Sequence, residues 1–396
     1  MGGGVESYAT KLPELPGQGV YLPRQCVMQR VSLALVGDVG PCRADAVSMF
    51  RHIGATLTQC DVAFCQLEPV LTRRGEPMPQ ARLAMRSPPE TAAAMRAAGF
   101  QVVSFASNHC LDYGITGLTD TIDALKVAGL SVVGVGSTLA VARQPAIVST
   151  SGVRIAFLAY CSILPMGYDA QENRAGCAPL RAWTSFEQIE HDQPGTSARV
   201  HTLAHQRDLN AMATDIAAVR LQADHVVVSM HWGVHFVPGE LTQYQRELAH
   251  AAIDAGAALV VGHHPHVLKG IEIYRERMIF YSLGNFALDP PTAFAGNLRD
   301  SKGFREIEAL TSGWDRHSLL PPDARLSLLV RCRVTRQRIE AAELLPVHIN
   351  AACEPTLPAH DHSVFAEIVE YLDWTCSSQS LPVPYLRQRD RLLIEV

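Results

Sequence analysis

Apolar and polar positions alternate in blocks along this chain, and the blocks predict strands and helices in turn. VSLALVGD (31–38) is a short, nearly continuous apolar run ending on Gly-Asp, the pattern of a buried strand. A helix-like stretch at 44–58 follows, and DVAFCQLEPVL (61–71) carries the next strand into a loop. PPETAAAMRAAGF (88–100) predicts a helix opened by proline and stopped by Gly99. QVVSFASNH (101–109) is another buried strand, TGLTDTIDALKVAGL (116–130) a helix stopped by Gly129, and SVVGVG (131–136) a strand. The alternation resumes with the strand RIAFLAYCS (154–162) and a helix at 207–222. DHVVVSMHWG (224–233), a helix in QYQRELAHAAIDAG (243–256), ALVVGHHPHV (258–267) and MIFYSLGNF (278–286) come next. RLSLLVRCRVTRQRIEAAELLPVHI (325–349) reads as a β-hairpin with alternating faces, and HSVFAEIVEYLDW (362–374) as an amphipathic helix.

This order divides the chain into an irregular Gly- and Pro-rich lead-in (1–29), one layered α/β domain (30–350), and a C-terminal helix and tail packed on it (351–396). Two low-pattern inserts interrupt the domain, at 163–205 and 289–323. Uncommitted stretches of this length inside a domain are usually functional lids or disordered segments. No internal repeat is visible.

The polar residues fall at the ends of the apolar runs. Five runs close on GD, QLE, SNH, MHWG or GHHPH. Where helices cover a sheet, ligands collect beyond the carboxyl ends of the strands, so five such ends point to one shared site. Asp, Glu, Asn and several His form a mixed oxygen and nitrogen donor set, which suits first-row transition ions and zinc better than magnesium or calcium. Each piece has an ordinary structural reading: Gly-Asp as a turn, Asn108-His109 as a helix cap, His231 beside Trp232 as a core histidine. The HHPH run, with His264 and His266 flanking a rigid proline, is the hardest to read that way.

Composition narrows the field. The chain has 396 residues, 47% of them hydrophobic and 18% charged, with a formal net charge of −5. That balance offers no basic stripe for nucleic acid. No run approaches the roughly 18 apolar residues of a membrane span, and MGGGVESYATKLPELPGQG shows no signal-peptide pattern. Gly2 matches a myristoylation site only poorly. The ten cysteines include no CxxC pair, so a zinc knuckle, a redox dithiol or a disulfide framework is not expected. A cytoplasmic protein acting on a small molecule is expected; the oligomeric state is not legible.

The order of the motifs resembles the CapA-type capsule and poly-γ-glutamate synthesis proteins, a branch of the calcineurin-like metallophosphatase superfamily. LALVGDVG, CQLEPVLT, SFASNHCLDYG, VSMHWGVHF, DAGAALVVGHHPHVLKGIE and IFYSLGNFALD carry the resemblance across about 31–289. It implies a four-layer αββα sandwich with two divalent metals at one edge. Carried over, Asp38 would bind one or both metals and Glu68 would bridge them. Asn108, His231 and His264 would hold the second metal and His266 the first. His109 would act beside them as acid, base or substrate contact, with Asp112 orienting it. Asn285 would line the pocket or serve a turn. His263 falls outside the implied ligand set. The phosphatases carry a histidine where Gly40 stands, so one metal lacks a ligand unless His235 reaches in. The capsule branch usually has glutamate at the position of His235 and asparagine at that of Gln66.

Two reactions fit. One is hydrolysis of a phosphate ester or amide by water that two cations activate, with His109 protonating the leaving group. Against it, Lys269 is the only basic residue in 224–240 and 255–272, and the Arg73–Arg74 pair reads as a solvated loop. The other is oxygen activation by a diiron site. It would need O2 and an electron donor, and resembles a monooxygenase use of this fold in diterpenoid antibiotic biosynthesis. The sequence leans to the oxygenase, with iron expected and manganese or zinc as alternatives. A non-catalytic metal-stabilised scaffold is a third, weaker reading.

Overall fold

The apolar runs assemble into two β-sheets packed face to face, with helices on both outer surfaces. A computed structural model describes residues 30–289 and 320–395, together with the isolated positions 1, 305 and 309. Apart from those positions, the predicted lead-in 1–29 and the stretch 290–319 of the second insert lie outside the described residues, as does Cys26.

The larger sheet has ten strands. Its centre runs from Ile339–Ile349 through Leu326–Val334, Val31–Gly40, Val62–Leu67 and Val102–Ser104 to Ser131–Val133. The smaller sheet has six, in the order Ile271–Tyr274, Arg277–Phe280, Leu259–His263, His225–His231, Val153–Cys161 and Ala146–Thr150. Its central strands are parallel and apolar on both faces, as strands covered on two sides must be. The inner faces meet in one core where Phe64 and Phe157 stack, centroids 5.4 Å apart and planes 4° from parallel. Such a pair adds about 0.5–1.5 kcal/mol beyond the area it buries. Helices Thr91–Ala98 and Gly114–Val127 flank the larger sheet. Gln206–Val219 and Gln243–Ala255 cover the smaller one through Met212, Ile216, Leu248 and Ala252. This is the four-layer αββα sandwich. None of the described helices is long and apolar enough to cross a membrane.

Several expected elements divide. MIFYSLGNF is not one strand: Arg277–Phe280 belongs to the smaller sheet and Asn285–Leu288 to the larger. The chain crosses between layers at Gly284, whose φ of 69° is open to glycine. There it passes so close to Gly37 that a Cβ on Gly37 would lie 2.0 Å from the Gly284 carbonyl oxygen. The stretch 44–58 splits into a 3-10 turn, Ala46–Phe50, begun by Asp45 accepting from the Ser48 N–H, and a short helix, Gly54–Thr58. Within 163–205 the structure builds Gly176–Cys177 and a hairpin of Ala182–Glu187 with Arg199–Ala204. That hairpin is largely solvated on both faces, so no apolar period announced it. The tail adds Leu386–Arg387 and Leu392–Glu395 to the edge of the larger sheet.

Candidate metal centre

All five motif-bearing runs end at the same edge of the sandwich. The strand Val31–Gly40 pairs antiparallel with Leu326–Val334 along Val31–Leu35, then changes partner and runs parallel to Asn285–Leu288 from Asp38 onward. A register shift between Leu35 and Asp38 marks the change and lodges the fully buried Asp38 carboxylate between the sheets. Glu68 follows Val62–Leu67 directly, held in place by its N–H donating to the Val39 carbonyl (2.9 Å). His231 and His263 end neighbouring parallel strands as register partners, so they share one face. The Pro265 turn then places His264 and His266 at positive φ, 92° and 58°. Such backbone is costly for a residue with a Cβ and persists where the surroundings hold it.

These side chains converge. One ligating atom each from Asp38, Glu68 and His231 lie within 4.8 Å of one another. His231 stands between Asn108 and Glu68, with Nε2 2.7 Å from Asn108 Oδ1 and Nδ1 3.6 Å from Glu68 Oε1. Asp38 Oδ2 is 3.2 Å from His266 Nδ1 and accepts from the His264 N–H at 3.3 Å. Asp38 Oδ1 is 3.3 Å from His263 Nδ1. The His264 ring lies 4.8 Å from that of His231.

Electrostatics set the two carboxylates apart. Burial would raise the Asp38 carboxyl, but His263 and His266 outweigh it and hold that group far below the usual carboxylate range. Burial, reinforced by the charges of Asp38 and Asp112, pushes Glu68 well above its ordinary value. Burial and neighbouring histidines keep His231 and His264 neutral, the form in which imidazole ligates a metal.

The donor chemistry fits divalent ions. Asp38 Oδ1, both Glu68 carboxylate oxygens, His231 Nδ1, both His263 nitrogens and His264 Nδ1 are buried without a hydrogen-bond partner. Buried polar atoms are nearly always paired, and a concentration of carboxylate and imidazole orphans in one place suits an ion.

His109 stands beside this cluster, its Nε2 3.9 Å from Glu68 Oε2 and its Nδ1 2.7 Å from Asp112 Oδ2. Asp112 is buried and also accepts from the Met85 N–H (2.8 Å) and the Tyr168 hydroxyl (3.2 Å). Tyr168 comes from the segment 163–205, and nothing in its sequence neighbourhood marked it.

The secondary candidates take other places. Asn285 is the register partner of Asp38; its Oδ1 lies 2.7 Å from His266 Nδ1 and its Nδ2 donates to the Ala324 carbonyl. Both ends are thus engaged behind His266. His235 is half-buried and packs its ring 5.0 Å from those of His264 and His266. Lys269 is buried and donates to the Val237 and Glu240 carbonyls, so its ammonium is spent on backbone. Arg73 pairs with Glu90 and Arg74 with Asp120 on the surface. Arg82, which sequence reasoning passed over, is exposed and near enough for its charge to help keep His235 neutral, after burial, His266, His264 and His109.

Comparison with known proteins places the chain in a family. The profile of the bacterial capsule synthesis protein family PGA_cap matches residues 23–290. The chain is 30% identical over 272 residues to the capsule biosynthesis protein CapA of Bacillus anthracis, covering 66% of this chain and 60% of that protein. It is 30% identical over 269 residues to the PGA biosynthesis protein CapA of Bacillus subtilis (65% and 63%). It is 32% identical over 241 residues to a probable polyglutamine synthesis accessory protein of Mycobacterium tuberculosis (59% and 57%). The chain thus spans about 60% of the length of these relatives. Among solved structures, a hypothetical protein from Thermus thermophilus superposes with a TM-score of 0.39 at 13% identity, over 82% of this chain and 96% of that one. A score that low supports no argument.

Proposed function

We propose a function from this premise: the chain belongs to the bacterial capsule synthesis protein (PGA_cap) family. The reading is a dinuclear metal-dependent hydrolase of the CapA type, acting on a phosphate ester or an amide. The single observation that carries it is a buried His109–Asp112 pair set against a cluster of unpaired metal donors. In this reading Asp38, Glu68 and His266 would hold one ion, and Glu68, Asn108, His231 and His264 would hold the other. Two divalent ions bound there would polarise the scissile group and lower the pKa of a water.

The protein's own residues do the rest. Asp112, fixed by the Met85 N–H and the Tyr168 hydroxyl, keeps the Nδ1 edge of His109 turned toward it, which leaves Nε2 to give a proton to the leaving group. Arg82, exposed and near enough for its charge to reach His235, offers a charge that an anionic substrate would meet, the role Lys269 is too engaged to fill. Phe236, buried, lies beside the His235 and His266 rings and gives them an apolar neighbour.

One observation favours a second reading, an iron-dependent monooxygenase acting on an apolar small molecule. Glu68 is a long carboxylate with both oxygens free of hydrogen bonds, which suits a bridge that changes its binding mode during oxygen chemistry. A single experiment separates the two. The protein is purified without chelators, its metals are quantified, and it is assayed with aryl phosphates and amides and, after reduction, for oxygen uptake. Turnover of an aryl phosphate or amide with zinc or manganese supports the hydrolase. About two irons per chain that oxidise together in air, with no hydrolysis, would overturn it in favour of the oxygenase.

A further inference from the structure

We propose that His263 is a further protein ligand of the ion that Asp38 holds, supplying the donor that Gly40 cannot. This rests on reading the Asp38–Glu68 cluster as a metal centre.

His263 is fully buried, and neither of its ring nitrogens has a hydrogen-bond partner. That is not how this protein treats a structural core histidine. His225, also buried, places its Nε2 2.6 Å from the Thr335 carbonyl oxygen and is satisfied. A buried polar group left unpaired forfeits its hydration with nothing in return, and an ion shared with Asp38 would give Nδ1 the partner it lacks.

The position of the ring says what that partner is. His263 Nδ1 lies 3.3 Å from Asp38 Oδ1, within ion-pair reach, and neither atom makes a hydrogen bond of good geometry. Two donors sharing one ion at roughly 2.0–2.2 Å, at angles between about 90° and 110°, stand about 3–3.5 Å apart. The strand register turns His263 to the same face as His231, toward the gap between the sheets. Phe64 packs beside it, ring centroids 6.1 Å apart.

Gly40 explains why the donor has to come from here. A Cβ at position 40 would lie 2.6 Å from Leu288 Cδ1 and 2.9 Å from Pro69 Cδ. An imidazole carried there would have to displace both side chains, and with glycine in place the larger sheet offers the ion beside Asp38 and His266 no nitrogen ligand at this position. His263 offers it from the opposite sheet.

The test uses the full chain, stripped of metal and titrated with Mn2+ and separately with Zn2+. Protein labelled with 15N-histidine and loaded with Mn2+ is examined by electron–nuclear double resonance to count coordinated imidazoles. With His263 as ligand, the wild type shows couplings from four histidines across the two ions. His263→Gln and His263→Leu each lose one coupling and bind one of the two ions at least tenfold more weakly, the other unchanged. Three couplings in the wild type, or folded variants that keep the wild-type couplings, overturn the proposal even where affinity falls. The wild-type count decides the matter if the variants do not fold. A wild type that takes up neither ion overturns the metal-centre reading itself, and this inference falls with it.

Discussion

The two sheets contribute opposite halves of the site. The larger sheet delivers the oxygens, with Asp38, Glu68 and Asn108 at its strand ends. The smaller delivers the nitrogens, with His231 and His263 ending strands and His264 and His266 in the turn beyond. Within each half the groups oppose one another: Asp38 helps push Glu68 up, while neighbouring histidines, after burial, help keep His231 and His264 neutral. Only across the gap does the balance change sign, where His263 and His266 hold Asp38 ionised. The contrast teaches that neither layer is complete alone. An ion seated between them would clasp the sandwich at one end, as the Phe64–Phe157 stack does further in.

Breaking the clasp on the histidine side should have the largest effect. His231→Ala or His266→Ala should abolish binding of at least one ion and all metal-dependent turnover, while the far-ultraviolet circular dichroism spectrum stays near that of the parent. A variant that keeps both ions and full activity would refute the ligand assignment. Breaking the apolar link instead should cost stability and not metal. Phe64→Ala should lower the unfolding free energy by about 3–5 kcal/mol in denaturant titrations of the metal-free protein, because it opens a cavity between the sheets.

The acid side of the site gives a pH test with a definite sign. Glu68 is raised, so the proton it retains contributes to metal-free stability below its unfolded value and that contribution is lost as pH rises through the folded one. His231 and His264 are depressed; their contribution is present above the unfolded imidazole value and lost as pH falls through the folded values. A bound ion requires all three deprotonated, so it releases protons and its affinity should rise with pH, about tenfold per unit for each proton released. Zn2+ titrations by calorimetry in buffers of different ionisation enthalpy measure that number. An affinity flat across the acid range would show that Glu68 carries no proton to lose.

The smallest effect is expected farthest from the clasp. Trp183, 62% exposed on the hairpin Ala182–Glu187, should tolerate replacement by serine with a change within about 0.5 kcal/mol and no change in metal content. A loss of metal in that variant would mean that the hairpin and the site are coupled.

Much of the architecture was legible because its signals are local. Gly99 and Gly129 stop helices where the sequence placed them, and their φ of 113° and 77° show why glycine was needed. Thr242 and Gln245 form the capping box that starts the helix before the HHPH strand. The six donors named from the motifs all arrive at one edge, since a buried parallel strand can present polar groups to a ligand only where it ends. Other features left no local trace. The break in 278–286 depends on Gly284 passing against Gly37, and Lys269 is engaged by carbonyls about thirty positions earlier in the chain. Tyr168 reaches Asp112 from 56 positions away.

What the sequence determined by itself was therefore the set of elements and the chemistry at their ends, because apolar period, glycine, proline and side-chain type act over a few residues. What only the tertiary structure decided was which donor faces which. The His264 N–H and the Asp38 carboxylate it meets are 226 positions apart. The place of His263 beside Asp38, and the absence of room at Gly40, exist only once two sheets are stacked and their gap is filled.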